Sequence, residues 1–355
     1  MTDSTILIYG AYGYTGELCA RFARDQGFEP VLAGRNRAKV EAVATRYGLP
    51  SRTFGLDDKR ALDAGLDGVG VVLHCAGPFS RTAGPMLDAC VRSGAHYLDI
   101  TGEMEVFETV AAGSARFAAA GIMAMPGVGF DVVPSDCLAA HLKEALPDAS
   151  ELELGIHFGG GMSHGTATTV VENLHRDSAV RRGGTIRSIK AGSLSRTIDF
   201  GSGPRAAMAI PWGDVSTAYH STGIPNITVY AAVPAGAILG SRLTSPVKSV
   251  FGLGPVRRLL QRWVDSQPAG PTDAKRKRGR TRLWGEVRNA AGDRRQARLE
   301  GPEGYTLTAL TALAASRRAA SGDAPVGFQT PSKAYGADFV LEFEGVVRED
   351  AHVPF

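Results

Sequence analysis

Short apolar runs alternate with longer stretches of helical period from residue 6 to residue 145. Ile6 to Tyr9, Pro30 to Ala33, Arg52 to Phe54, Val69 to His74, His96 to Ile100 and Ile122 to Met125 predict strands. Between them, Glu17 to Asp25, Arg37 to Tyr47, Ala83 to Ser93 and Val106 to Ala120 predict helices, and 135–145 adds another. Strands that alternate with helices need crossover connections, so neighbouring strands run parallel. The expectation for 1–145 is a Rossmann-type, doubly wound parallel sheet that binds a nucleotide.

The pattern changes after residue 146. Glu151 to Phe158 places Leu152, Leu154, Ile156 and Phe158 on one face, the mark of a half-buried strand. Ile186 to Ala191 and Ser195 to Phe200 predict a hairpin, and Ile227 to Val233 another strand. Leu283 to Arg288 and Arg294 to Glu300 predict a second hairpin around Ala291-Gly292-Asp293. Tyr305 to Ser321 predicts a helix and Ala337 to Val347 a closing strand. Many strands and few helices imply an α+β domain over 146–355, with a mixed or antiparallel sheet. A last strand or helices returning from the C-terminus to the first domain are allowed for. Val247 to Val264, with glycine breaks at Gly252 and Gly254, mixes apolar residues with Arg257, Arg258 and Arg262. It reads as a surface helix packed on the sheet rather than one lying on a membrane.

Composition narrows this little. At 355 residues the chain can hold two cored domains, and 44% hydrophobic with 21% charged residues is ordinary for a globular protein. A net charge of +3 does not argue for nucleic acid, so the run Lys275-Arg276-Lys277-Arg278-Gly279-Arg280 reads as a solvated loop. Cys19, Cys75, Cys90 and Cys137 form no metal-binding or disulfide pattern. No apolar run reaches the roughly 18 residues of a membrane span, so no stable insertion is expected. The chain opens directly into a strand, which leaves no signal peptide and a cytoplasmic location by default.

The chemistry starts at the end of the first strand. Gly10, Gly13 and Gly16 punctuate the turn, with Tyr12, Tyr14 and Thr15 between them. Glycine lets the backbone bend and approach a ligand, and the helix that follows presents its N–H groups to an anion. A dinucleotide pyrophosphate is the usual occupant; a glycine turn without a ligand is the alternative. The second strand ends in Gly34-Arg35-Asn36-Arg37-Ala38-Lys39. An NAD site carries an acid there for the ribose 2′-hydroxyl, whereas arginine forks onto a 2′-phosphate. NADP(H) is therefore expected over NAD, with Arg35 as the reader. Arg37 and Lys39 alternatively only begin a solvated helix. Asp57, in Leu56-Asp57-Asp58, borders the adenine or belongs to a helix cap.

Three later strands also end in small or polar turns, at Ala76-Gly77-Pro78-Phe79, Thr101-Gly102-Glu103 and Gly129-Phe130-Asp131. In an open parallel sheet that edge carries the active site. Asp99 and Asp136 read as caps or braces. A second glycine loop, Gly159 to Thr166, precedes a helical stretch to about Arg176 and carries Ser163, His164 and Thr166. It either holds a substrate carboxylate or phosphate or is a capped helix entry.

Together the glycine turn, Gly34-Arg35, Ala76-Gly77-Pro78, Asp99-x-Thr101-Gly102-Glu103 and Gly129-Phe130-Asp131-x-x-Pro134-Ser135-Asp136 resemble the saccharopine dehydrogenase-like oxidoreductases, a family that includes trans-acting enoyl reductases. The resemblance covers nearly the whole chain, more loosely in the C-terminal half. It implies an NADP-dependent reductase acting on a C=C or C=N bond of a small-molecule or acyl substrate. It also implies a second domain whose sheet often pairs two copies into a homodimer. The family carries a Ser-Gly-Gly-Thr stretch where this chain has Ser163-His164-Gly165-Thr166, so His164 departs from it.

Such a reduction needs a proton donor as well as a hydride. A Ser-Tyr-x-x-x-Lys arrangement is missing, since Tyr97 is followed four residues on by Thr101. Asp131, Glu103 and His164 are the candidate donors, with water as the alternative. A catalytically silent NADP-binding scaffold or redox sensor is the second reading. A nucleic-acid or membrane adaptor that uses the basic run is the third.

Overall fold

A computed structural model describes residues 4–159, 163, 167, 168, 171, 177–244, 254–266 and 269–351. The chain divides into two compact units, 1–133 with 305–335, and 134–304 with 336–355.

In the first unit a buried apolar strand, β1 (Ile6–Tyr9), runs through the glycine turn into α1 (Tyr14–Asp25). The elements β2 (Val31–Gly34), α2 (Arg37–Tyr47), β3 (Ser51–Thr53), α3 (Lys59–Gly65), β4 (Val71–His74) and α4 (Phe79–Ser93) continue the alternation. They are followed by β5 (His96–Asp99), α5 (Met104–Ala112), α6 (Ser114–Ala119) and β6 (Met123–Met125). A short strand near the C-terminus, β15 (Gly327–Phe328), pairs parallel with β6. The described strands form one parallel sheet in the order β15-β6-β5-β4-β1-β2-β3. The chain turns from one half of the sheet to the other between β1 and β4, so the glycine turn lies at the switch point where doubly wound sheets bind ligands.

The expected elements recur here with adjustments. The helix expected over Val106 to Ala120 is divided at Gly113. Helix α4 starts at Phe79, ahead of the expected Ala83. Helix α3 adds to the expected helices, and it resolves one alternative, since Asp58 of Leu56-Asp57-Asp58 caps it by accepting from the amides of Arg60 and Ala61. The helix Gly304–Ala320 packs within this unit.

The second unit begins with α7 (Val133–Ala145) and β7 (Glu151–His157). It continues with β8 (Ser178–Arg182), β9 (Thr185–Ile189), β10 (Ser195–Asp199), β11 (Pro204–Ala209) and β12 (Asn226–Ala232). The long hairpin β13 (Arg280–Arg288) and β14 (Arg294–Pro302) and the strand β16 (Val347–Ala351) complete a mixed sheet. Its order is β10-β11-β12-β7-β13-β14-β16, with β8 attached to β12 and β9. Only the β12–β7 pairing is parallel among those described. Leu138 and Leu142 of α7 back the sheet at Gly285.

Three expectations fail in this unit. The strands at 186–191 and 195–200 do not pair with each other. Gly183 and Gly184, at φ 56° and 77°, turn β8 back onto β9, while Gly201 and Gly203 turn β10 onto β11. Two consecutive glycines are a strong two-residue hairpin signal and decide the pairing. Residues 337–347 are not a strand. A 3-10 turn, Phe339–Glu342, buries Phe339 and Val340, and the strand begins only at Val347. The basic run is not a loop but largely the short helix Asp273–Arg278, capped by Thr272, with Arg276 buried against Asp273.

Candidate functional site

Beyond β1 the chain turns at Gly10, whose φ of 85° suits glycine. A side chain there would also meet the backbone and Cβ of Ala76 at 2.9 Å, so the turn and the loop after β4 lie in contact. Gly13 caps α1 with no side-chain hydrogen bond. A Cβ on Gly13 would meet only the Gly10 carbonyl, at 3.3 Å. Gly16 is different, because a Cβ there would run into the Gly10 carbonyl and Ala11. Gly16 therefore permits close helix packing, and Gly13 adds no side chain of its own at the first turn of α1. The first-turn amides have no partners inside the helix, and the helix dipole favours an anion over them. This cradle fits a pyrophosphate.

The ring of Tyr12 lies against Gly34, where a Cβ would meet it at 2.7 Å. Lys39 stands over the same ring at 5.8 Å. Arg35 is exposed and makes no hydrogen bond or ion pair among the described residues. Asn36 caps α2 by accepting from the Lys39 amide at 3.0 Å, and Arg37 pairs with Glu41 on the exposed helix surface. Tyr9, beneath this edge, donates to the Phe54 carbonyl. Burial raises its phenol to about 12, with smaller effects from Tyr12, Arg35 and Asp57. Tyr12, Arg35 and Asp57 thus all lie within electrostatic reach of Tyr9.

The loops after β4, β5 and β6 are tied by side chains. Glu103 accepts from the amides of Phe79 at 2.8 Å and Ser80 at 2.9 Å, and so caps α4 from another loop. Both of its oxygens are engaged as acceptors. Thr101 donates its amide to Asp99 Oδ1 at 2.9 Å, and its hydroxyl oxygen accepts from the Glu103 amide at 3.0 Å. Asp99 Oδ1 also accepts from the Gly127 amide at 2.9 Å, while Oδ2 accepts from the Tyr97 hydroxyl at 2.6 Å. Burial raises Asp99 to about 6, against the opposing pull of these hydrogen bonds. The ring of Phe79 packs edge-on against His74 at 5.4 Å. His74 is wholly buried, and burial lowers its pKa to about 3, so it stays neutral at ordinary pH.

Asp131 stands apart from this network. It lies against Gly102, where a Cβ would come within 2.8 Å of its Oδ2. Its carboxyl makes no hydrogen bond among the described residues; the residue is half-buried, and desolvation raises its pKa to about 6. His164 lies outside the described residues. Among those described, no group of His, Cys, Asp and Glu could hold a metal, and no helix is long and apolar enough to cross a membrane.

Residues 6–125 match the family model of the saccharopine dehydrogenase NADP-binding domain. A Mycobacterium tuberculosis protein bearing the trans-acting enoyl reductase name is 28% identical over 95% of this chain and 94% of its own. A human saccharopine dehydrogenase-like oxidoreductase is 27% identical over 43% of this chain and 41% of its own. The fold of apo saccharopine dehydrogenase (L-Glu forming) from Saccharomyces cerevisiae superposes with a TM-score of 0.66, at 12% identity, over 98% of this chain and all of that one. Residues 6–125 thus carry an NADP-binding domain, and the chain is an NADP-dependent oxidoreductase similar to the saccharopine dehydrogenase-like proteins. Its N-terminal unit is accordingly an NADP-binding one.

Sequence reasoning missed how this oxidoreductase holds its third strand-end loop. Thr308 accepts from the Phe130 amide at 3.0 Å, and Thr311 donates to the Val128 carbonyl at 2.8 Å. Both threonines sit on the helix Gly304–Ala320. A contact spanning 178 residues leaves no local signal; only the placement of two threonines one turn apart on a helix hints at it.

Proposed function

We propose that this protein is an NADPH-dependent reductase of a C=C (enoyl) or C=N bond in a small or lipid-like acyl substrate. The single observation that most supports a reductive role is the carboxyl of Asp131. It is a half-buried group on a strand-end loop against Gly102, makes no hydrogen bond among the described residues, and partial desolvation raises its pKa to about 6. When bound, the dihydronicotinamide supplies the hydride, and the protein supplies orientation and the proton. Asp131 is the donor we assign. Glu103, with both oxygens accepting backbone N–H groups, acts as a helix anchor instead. The enoyl alternative takes further support from the enoyl reductase name of the Mycobacterium relative. In the same reading, two copies pair through the C-terminal sheet, which sedimentation would report as a dimer.

The test is NADPH consumption across a panel of enoyl thioesters and cyclic imines. Turnover with one class is expected. Tight NADPH binding with no consumption across either class would instead favour a silent NADP-binding scaffold.

The pH dependence follows from Asp131. A general acid works in its protonated form, which for a group near 6 is full below that pH and lost above it. The kcat/KM is expected to be flat below about pH 6 and to fall about tenfold per pH unit above it, since this ratio reports the free enzyme. A profile level through neutrality would remove Asp131 as the acid.

A further inference from the structure

Three strand-end loops of the first unit are joined by one run of hydrogen bonds. It starts at the Gly127 amide after β6 and passes to Asp99 at the end of β5. From Asp99 it goes to the Thr101 amide, and from the Thr101 hydroxyl to the Glu103 amide. The Glu103 carboxylate then holds the amides of Phe79 and Ser80, at the start of α4. Thr82 closes the far end by donating to the Ala76 carbonyl at 2.7 Å. The backbone adds a parallel tie, with Val128 N–H donating to the Asp99 carbonyl at 2.8 Å. Asp99 and Thr101 are wholly buried, so each unmade bond would strand a polar group away from water.

We infer that Asp99 is a positioning residue that sets the loops after β4, β5 and β6 as one unit, through Thr101 and Glu103. The inference rests on the reading that this edge receives the nicotinamide half of NADPH. None of these side chains is needed at the Gly34–Arg35 edge, where the adenosine half belongs. The relay therefore predicts that damage at either end harms one half of the cofactor and spares the other. Asparagine at position 99 can keep the geometry. Its carboxamide oxygen can accept from Thr101 and Gly127, and its NH2 can donate to the Tyr97 oxygen, which reverses its own role.

The first test is amide hydrogen exchange on the full chain. In Asp99→Ala, the segment around Phe79 and Ser80 is expected to lose about tenfold in protection, as when a hydrogen bond to a charged group is given up. Asp99→Asn should restore it. Unchanged protection there would overturn the relay, whatever the cofactor. The second test titrates NADPH and adenosine 2′,5′-bisphosphate. Asp99→Ala and Glu103→Ala are each expected to weaken NADPH about tenfold and leave the bisphosphate unchanged, with the double variant no worse than the weaker single. Equal losses for both ligands, or additive losses for NADPH, would contradict the relay. If Asp99→Ala fails to fold, Thr101→Val breaks the same run with little change of shape and carries the same expectations. A parent protein that binds no NADPH would refute the cofactor reading, while the exchange result would still decide the relay.

Discussion

Gly13→Val is expected to abolish NADPH binding, by about 100-fold or more, in a protein that still folds. The structure separates the two effects. Gly13 has an extended conformation, φ −76° and ψ 159°, that valine adopts readily, and its Cβ position meets only the Gly10 carbonyl at 3.3 Å. Loss of glycine at a helix N-cap costs about 1 kcal/mol, a small part of a domain's stability. Binding suffers far more, because the new side chain would stand over the first turn of α1, where a pyrophosphate needs close backbone approach. Gly16→Val provides the contrast. Its Cβ would overlap the Gly10 carbonyl, so it should lower the melting temperature. Circular dichroism and NADPH titration on both variants check this. A folded Gly13→Val protein with parental affinity would show that the turn only shapes the fold.

Asp131→Asn is expected to lower kcat about 100-fold, the usual scale for loss of a general acid, with NADPH affinity unchanged. The competing expectation is a turn brace, since Asp often bonds to amides of its own turn. Asparagine would keep such bonds and almost all of the activity. The structure places the bracing elsewhere. Val128 and Phe130 are held through the Asp99 carbonyl, Thr308 and Thr311, while the Asp131 carboxyl holds none of them. Full turnover in Asp131→Asn would leave water as the donor among the described groups.

How far the sequence carried the account depended on the range of the interaction. The strand, glycine turn and helix at 6–25 are local, and the apolar run, the glycines and the helical period are all readable there. Asn36 and Asp58 cap helices from the adjacent position, where the residue type itself is the signal. The hairpin of β13 and β14 follows from alternation on both sides of a glycine turn. The failures are of another kind. Ile186 and Ser195 lie on strands of the right character, but their partners are fixed by the glycine turns on their outer sides. The apolar residues of 337–347 resemble a strand, yet Phe339 and Phe343 pack on each other at 5.4 Å in a turn. Among the candidate site residues, the glycine turn at Gly10, Gly13 and Gly16 was legible as a turn from type and spacing. The role of Glu103 was not, because its carboxylate caps a helix that begins 24 residues earlier. A proton-donor role and an anchoring role look alike in sequence, and only the partner atoms separate them.

We propose that Arg35 directs the glycine turn toward NADP. Arg35 is exposed, makes no ion pair among the described residues, and follows Gly34 at the end of β2, where an NAD site would carry an acid. Calorimetric titration of the parent protein with NADPH and NADH, side by side with Arg35→Asp, tests it most directly. The account predicts that the parent binds NADPH at least about tenfold more tightly, the scale of one charged hydrogen-bonded contact, and that Arg35→Asp reverses the order. Equal affinities in the parent, or an unchanged preference in Arg35→Asp, would contradict it.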